Sequence, residues 1–307
     1  MKLVKPSFEI IEQKAGYEGL LRHIEKCGRT CYKSEDKITE DSAEKFVNMI
    51  INRGHTAMLE HGTVYLTFPL EWHYEDDDEM EDNWYLYECY KTNAYSYVHT
   101  DFDNNSVYIT TNYRVLLQNG WLDDLKYQCE PTEHHIKRVT VKFICDRGVS
   151  HEFVRHRVFS FAQESTRYCN YSKNKFGNEC TFIIPSWLDL NEGTYQYNGQ
   201  SVIINLPQGG WIEYDMGKTY TFLRGLSTAE EIYFQLLDND YEETWIAQQA
   251  RAVLPNSLKT ELVMTGTLEQ WEGFFKLRDD EQHAHPQAYE LAHPLHEEFI
   301  KREWVAK

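Results

Sequence analysis

The densest basic feature of the sequence is Arg155-His156-Arg157, joined ten residues later by Arg167. Guanidinium forks match phosphate oxygens two at a time and keep their charge across the working pH range. Interleaved with them stand Ser160, Gln163, Ser165, Thr166 and Tyr168, neutral groups of the kind that read a base or sugar edge. The mixture suits a phosphorylated, heteroatom-rich ligand, and equally a surface patch that pairs with neighbouring acid. Two more arginines bear on that choice. Arg278 follows Trp271 by seven residues and Phe274 and Phe275 by four and three, which on a helix puts it on the apolar face. A buried Arg needs an anionic partner or a dense set of acceptors. Arg251 follows Ala247 by four and precedes Val253-Leu254-Pro255 at a helix end, so it too reads as inward. Each could be a structural salt bridge. Together with the first cluster they favour a site for phosphate or for an enolate-like oxygen.

Other chemistries fit less well. His55 and His61 bracket Ala57-Met58-Leu59-Glu60, but a separation of six is not the helical zinc spacing. A ring that stacks on a planar ligand, or a capped helix end, fits His55 better. Cys27 and Cys31 have no matching second pair for zinc. Ser165 lacks the Gly-x-Ser-x-Gly frame of a hydrolase elbow. No Gly-rich phosphate loop or dinucleotide fingerprint occurs, so a flavin or nicotinamide would not be held by a Rossmann unit.

The background is acidic: 307 residues carry 31 Lys and Arg against 49 Asp and Glu, a net charge of −18. A field of that sign repels nucleic-acid backbones and anionic membranes. An anionic substrate must therefore be captured by a local cluster that overrides it. Seven irregularly spaced cysteines in a chain this long read as reduced thiols of a cytoplasmic protein. Met1 to Gln13 has no apolar core of a leader, and no run approaches a membrane span.

The elements that position these residues follow from periodicity. Asp41 to Asn52 reads as a helix with an Asp41/Glu44 capping box, and Gly62 to Phe68 alternates as a strand. The acid run Glu75 to Glu79 opens a segment, about 71–138, that reads as an insertion, with helix around Tyr108 to Trp121. The five carboxylates lack the Gly turn and ligand spacing of a calcium loop. Val139, Val141 and Phe143 mark a strand, Ser150 opens a short helix into Arg155, and Thr181 to Ile184 is a strand ended by Pro185. Gly193 to Gly210 is turn-rich, part of a second insertion near 190–215. Ser227/Glu230 and Thr267/Gln270 read as capping boxes. Glu242 to Val253 and Gln287 to Glu303 complete the helices. The expected fold is α+β, one domain over 1–307, with a small mostly antiparallel sheet packed against several long helices.

The run from Arg155 to Tyr168 resembles the signature of flavin-dependent thymidylate synthases: Arg-His-Arg, seven residues, then Ser, with Arg-Tyr close behind. Further matches occur in family order at Arg29-Thr30-Cys31-Tyr32, Gly54-His55 through Glu60-His61, Phe182 to Pro185, Ala250 to Pro255 and Leu277-Arg278. The resemblance covers about two thirds of the chain and leaves out the two insertions.

The resemblance implies conversion of dUMP to dTMP. Methylenetetrahydrofolate would be the carbon donor, reduced FAD the hydride source and NADPH the reductant. It places Glu152, Arg155, Gln163, Ser165, Thr166, Arg167, Arg251 and Arg278 around dUMP, with Arg278 stabilising negative charge on the uracil. It places His55, Ala57, Arg155, His156, Arg157, Gln163, Thr267, Glu269 and Gly273 around FAD, with His55 also stacking on folate. It implies no metal, no enzymatic nucleophile and a homotetramer with shared sites. The chain departs from the family at Ala57, where Ser or Thr is common. It also departs at Ala162-Gln163, where Asn-Glu is common, and at Thr267, Glu269 and Gly273, where Asn and Arg contact flavin. These departures imply a weakened flavin grip, and leave open a nucleotide-binding protein of the same fold without flavin chemistry.

Overall fold

A computed structural model describes residues 1–70, 82–238, 243 and 245–306. In chain order its strands are β1 (Lys2–Val4), β2 (Ser7–Ile11), β3 (Thr63–Pro69), β4 (Tyr97–Asp101), β5 (Ser106–Asn112), β6 (Arg138–Asp146), β7 (Ser160–Gln163), β8 (Thr181–Ile183), β9 (Gly193–Tyr197), β10 (Val202–Asn205), β11 (Trp211–Tyr214) and β12 (Lys259–Thr267). Its helices are α1 (Gly16–Tyr32), α2 (Ala43–Asn52), α3 (Asp82–Thr92), α4 (Tyr113–Asn119), α5 (Arg147–Phe153), α6 (Gly217–Leu236), α7 (Ala247–Ala250), α8 (Leu268–Arg278) and α9 (Pro286–Lys301).

A four-stranded antiparallel sheet, β2-β6-β12-β7, carries the signature. β6 and β12 pair from Arg138↔Thr267 to Asp146↔Lys259, and β7 joins β12 with Gln163 opposite Leu262. Alternation sends Val139, Val141 and Phe143 to one face, where Trp271, Phe274 and Phe299 of α8 and α9 cover them. The other face meets α1: Cys27 packs on Ala162 and Val263. Beside that contact runs a buried polar chain, His23 to Thr140 at 3.0 Å, Thr140 to Thr265 at 2.8 Å and Thr265 to His61 at 2.7 Å.

The α+β class agrees with the sequence reading, but the strands are more numerous than expected and form three sheets among the described residues. β3-β5-β4 packs with α1, α2 and α3 around Phe46, Leu66 and Ile109. β11-β10-β9-β1-β8 packs against α6 around Phe182, Tyr195 and Leu226. The turn-rich stretch from Gly193 therefore forms strands, and residues 97–112 share a sheet and a core with β3.

Several expected boundaries move. Ser42, not Asp41, stands at the start of α2, and its Oγ accepts from Thr39 N at 2.8 Å instead of capping the helix. Tyr108 lies in β5; helix begins only at Tyr113, where Asn112 Oδ1 accepts Val115 N at 3.2 Å. α5 starts before Ser150, because Asp146 Oδ1 accepts Val149 N at 2.7 Å. Ser227 sits inside α6, and Glu230 instead accepts Cys180 N at 2.7 Å. Ahead of Pro255 there is one turn of α7 and a 3-10 turn, Arg251–Val253. Glu75 to Glu79 lie outside the described residues. Among the described residues no helix is long and apolar enough to cross a membrane.

Candidate active site

α8 is built to hold its last residue in place. Thr267 Oγ1 accepts Gln270 N at 3.3 Å and Gln270 Oε1 accepts Thr267 N at 2.8 Å, a closed capping box. Trp271 is fully buried and its indole N–H donates to Val139 O at 3.1 Å. The preceding Gly266 is needed for close approach: a Cβ there would meet the Phe159 ring at 2.6 Å. Arg278 thus comes to rest against α5, with its side chain 15% exposed. All three guanidinium nitrogens are engaged. Nη1 donates to Glu152 Oε2 at 2.6 Å, Nη2 to Glu152 O at 3.0 Å, and Nε to His156 Nε2 at 3.1 Å.

That last bond fixes the chemistry of His156. An acceptor Nε2 leaves the ring proton on Nδ1. Burial, with Arg278 and Arg155 alongside, pushes the imidazole down to about 4, so it is neutral near pH 7. Its ring packs 5.1 Å from that of Phe274.

The other half of the site is the loop after β7. Gln163 Nε2 donates to Ser150 Oγ at 2.9 Å, linking the loop to α5. Ser165 N donates to Cys31 O at 3.1 Å, tying it to the end of α1. Glu164 is buried and accepts from Lys259 Nζ at 2.9 Å and Tyr171 OH at 3.1 Å. Thr166 Oγ1 accepts Arg251 Nη1 at 2.9 Å. Tyr32 links the loop to His55: its hydroxyl meets His55 Nδ1, and its ring lies 5.7 Å from that of Tyr168. Ser165 Oγ accepts Arg167 N at 3.3 Å; among the described residues no base stands ready to take its proton.

Arg155, Arg157, Arg167 and Arg251 are all exposed, and none forms an ion pair among the described residues. For Arg251 this corrects the inward expectation: α7 is too short to bury it. In a chain of net charge −18, four exposed guanidiniums without ion pairs are local positive charge that an anionic ligand could meet.

The chain of contacts among the sequence-predicted residues is a set of short links: Arg278 to Glu152 and His156, Arg251 to Thr166 and Arg167 to Ser165, while Gln163 reaches α5 at Ser150 and His55 reaches the loop through Tyr32 and Tyr168. Ala57, Glu269 and Gly273 are exposed and stand apart from that chain of contacts. Thr267 is buried and its hydroxyl is used as a cap. A cavity of about 550 Å³ lies elsewhere, between β2, β6 and Trp304, and touches none of the candidate residues. Sequence reasoning missed Tyr32 as the partner of His55. It also missed Glu261, whose carboxylate burial would raise but which Lys259, Lys33 and Lys142 hold far below the usual range. The available signal was Lys142, a charge inside the alternating apolar run of β6.

The sequence compares with known proteins as follows. It is 30% identical to a flavin-dependent thymidylate synthase of Mycobacterium avium over 146 residues, 48% of this chain and 50% of that protein. It is 25% identical to the Pyrococcus abyssi protein of the same name over 159 residues, 52% of each chain. The chain spans about half the length of the curated relatives it matches. A crystal structure of the UMP/dUMP methylase PolB from Streptomyces cacaoi bound with 5-Br dUMP aligns over 98% of this chain and 93% of that one, at 17% identity and a TM-score of 0.41. Residues 95–303, more than half of the sequence, match the profile of the thymidylate synthase complementing protein family, and the chain belongs to that family.

Proposed function

We propose that this chain is a flavin-dependent thymidylate synthase that methylates dUMP to dTMP. The observation that carries the reading is Arg278, held by Glu152 and by neutral His156, together with four exposed arginines that form no ion pair among the described residues. Arg155, Arg167 and Arg251, with Ser165 and Thr166, take the phosphate and sugar of dUMP. Arg278 faces the uracil and stabilises negative charge developing there, favouring ionisation at N3. A fixed guanidinium does this well because it needs no reorganisation as charge appears. Gln163 and Glu152 orient the base, and Ser165 binds and polarises instead of attacking.

Bound FAD, reduced by NADPH, supplies the hydride, and methylenetetrahydrofolate supplies the carbon. The corner of the fold at Arg155, His156 and Arg157 fits such a cofactor, since both arginines are exposed and form no ion pair among the described residues. The exposed face of α8 fits it less well, because Glu269 presents a carboxylate where a phosphate would need a donor. His55, with Tyr32 and Tyr168, offers the stacking surface for the pterin. Exposed Trp187, Trp211 and Met216 support assembly into a homotetramer with shared sites, which sedimentation velocity tests.

Purified protein should be yellow, and should form dTMP from dUMP, methylenetetrahydrofolate, FAD and NADPH. Colourless protein that stays inactive with added FAD overturns the reading. Ala57, Thr267 and Glu269 favour a second one: a nucleotide-binding protein without flavin chemistry, marked by tight dUMP binding with no FAD binding.

A further inference from the structure

Arg278 is the last residue of α8, and what secures that end of the helix lies outside the site. The buried anchors of α8, Trp271, Phe274 and Phe275, all precede Arg278 by three residues or more, while Lys276 and Leu277 are exposed. A last turn without packing frays unless something ties it down. The tie is the next residue, Asp279. Its N–H donates to Phe275 O at 2.8 Å, closing the helix. Its carboxylate stands at a helix C-terminus, where the negative end of the macrodipole opposes it. The side chain is nonetheless only 14% exposed, so it needs donors, and both oxygens have one. Oδ1 accepts from His293 Nδ1 at 2.8 Å and Oδ2 from His296 Nδ1 at 2.6 Å. Both rings stand on α9, three residues apart on one face. His296 lies flat on Phe275, with centroids 4.4 Å apart and planes at 15°. His293 lies flat on Tyr289 at 5.1 Å and 17°, with Glu297 Oε1 3.6 Å from its Nε2. Each Nδ1 carries a proton here, which the neutral ring and the charged ring both supply.

We infer that Asp279, His293 and His296 form a clamp that fixes the backbone of Arg278 against α9, and that the two histidines are positioning residues acting through Asp279. From within the site Arg278 is held chiefly by Glu152, and in the proposed function Glu152 also orients the base. The hold from that side therefore changes when substrate enters. The clamp touches no ligand and does not change, so the guanidinium stays aimed while charge develops on the uracil. The inference rests on the role given to Arg278 under the proposed function.

The test is steady-state dTMP formation by the full chain, with urea unfolding of each variant alongside. His296→Leu should lower kcat by about tenfold and leave KM for dUMP within about twofold, because the substrate contacts remain and only the aim of one fixed donor is lost. His296→Asn should restore kcat to within about threefold of wild type, since its amide N–H lies two bonds from Cβ, as Nδ1 does. In an Asp279→Ala background His296→Leu should cause no further loss of kcat, because the ring acts through that carboxylate. Should His296→Leu fail to fold, the half-exposed His293→Leu takes its place in the same comparisons. Wild-type kcat in His296→Leu or Asp279→Ala overturns the inference. So does a rise in KM at constant kcat, additive losses in the double variant, or an Asn variant as slow as the Leu one. Wild-type kcat in Arg278→Ala overturns the role of Arg278 itself, an outcome distinct from a clamp variant that stays fast while Arg278→Ala is slow.

Discussion

At the scale of single residues, the proposed site rests on one guanidinium with three bonds and four that form no ion pair among the described residues. Arg278 is positioned before any ligand arrives, so its removal should act on the chemical step. Arg278→Ala should lower kcat by about a hundredfold, the size seen when one fixed donor to a developing oxyanion is lost. Arg278→Lys should not restore it, because an ammonium cannot reach Glu152 and His156 in the same fork. Arg251→Ala should instead raise KM for dUMP about tenfold with a smaller effect on kcat, since it loses one charge-assisted contact to the ligand. Ser165→Ala should keep measurable turnover, and abolition to background would revive a nucleophilic role. Steady-state rates of dTMP formation separate these cases. At this scale the sequence was informative: the type and spacing of Arg155, Arg167 and Arg278 were visible as an anomaly in an acidic chain. The inward direction of Arg278 followed from its distance to Trp271 and Phe274. Arg251 did not follow, because the helix assumed beneath it is a single turn.

At the scale of elements, α8 and the loop after β7 hold the site in register. The Thr267/Gln270 box was legible because both caps lie within one turn of each other. Thr267→Ala should therefore cost about 1 kcal/mol of stability in urea unfolding, the usual value of an N-cap. Gly266→Ala should destabilise by about 1–3 kcal/mol, since Phe159 must move to make room and it packs on Trp271. The misread elements share one cause. Ser150, Ser227 and the stretch from Tyr108 were judged by local pattern, but Asp146 outcompetes Ser150 as a cap. The Ser227 position lies inside a helix started at Gly217. Pairing with β3 draws residues 106–112 into a strand.

At the scale of the whole molecule, burial of basic groups sets the response to pH. Burial, then Arg138 and Lys26, holds His23 at about 3; burial, then His23 and Arg138, holds His61 at about 3. Both values lie below the ordinary histidine range, so the unfolded chain takes up protons first. Stability is then complete above about pH 6.5 and falls as pH drops toward the folded values, by up to about 1.4 kcal/mol per pH unit for each ring. Urea titrations at neutral pH and near pH 5 should show that loss, and His23→Asn should flatten the slope. An unchanged midpoint would mean that the polar chain from His23 to His61 accepts protons at little cost.

The sequence by itself determined the α+β class, the acidic background, the arginine cluster and the order of the family matches, because these depend on residue type, spacing and periodicity. Only the tertiary structure decided that Arg278 meets Glu152 and His156, residues more than a hundred positions away. It alone joined His55 to Tyr32 and left Arg251 in solvent. It also drew residues 106–112, from a stretch whose sequence reads as an insertion, into a sheet with β3. Such contacts cross sheets and helices, and no local periodicity encodes which strand a distant segment will pair with.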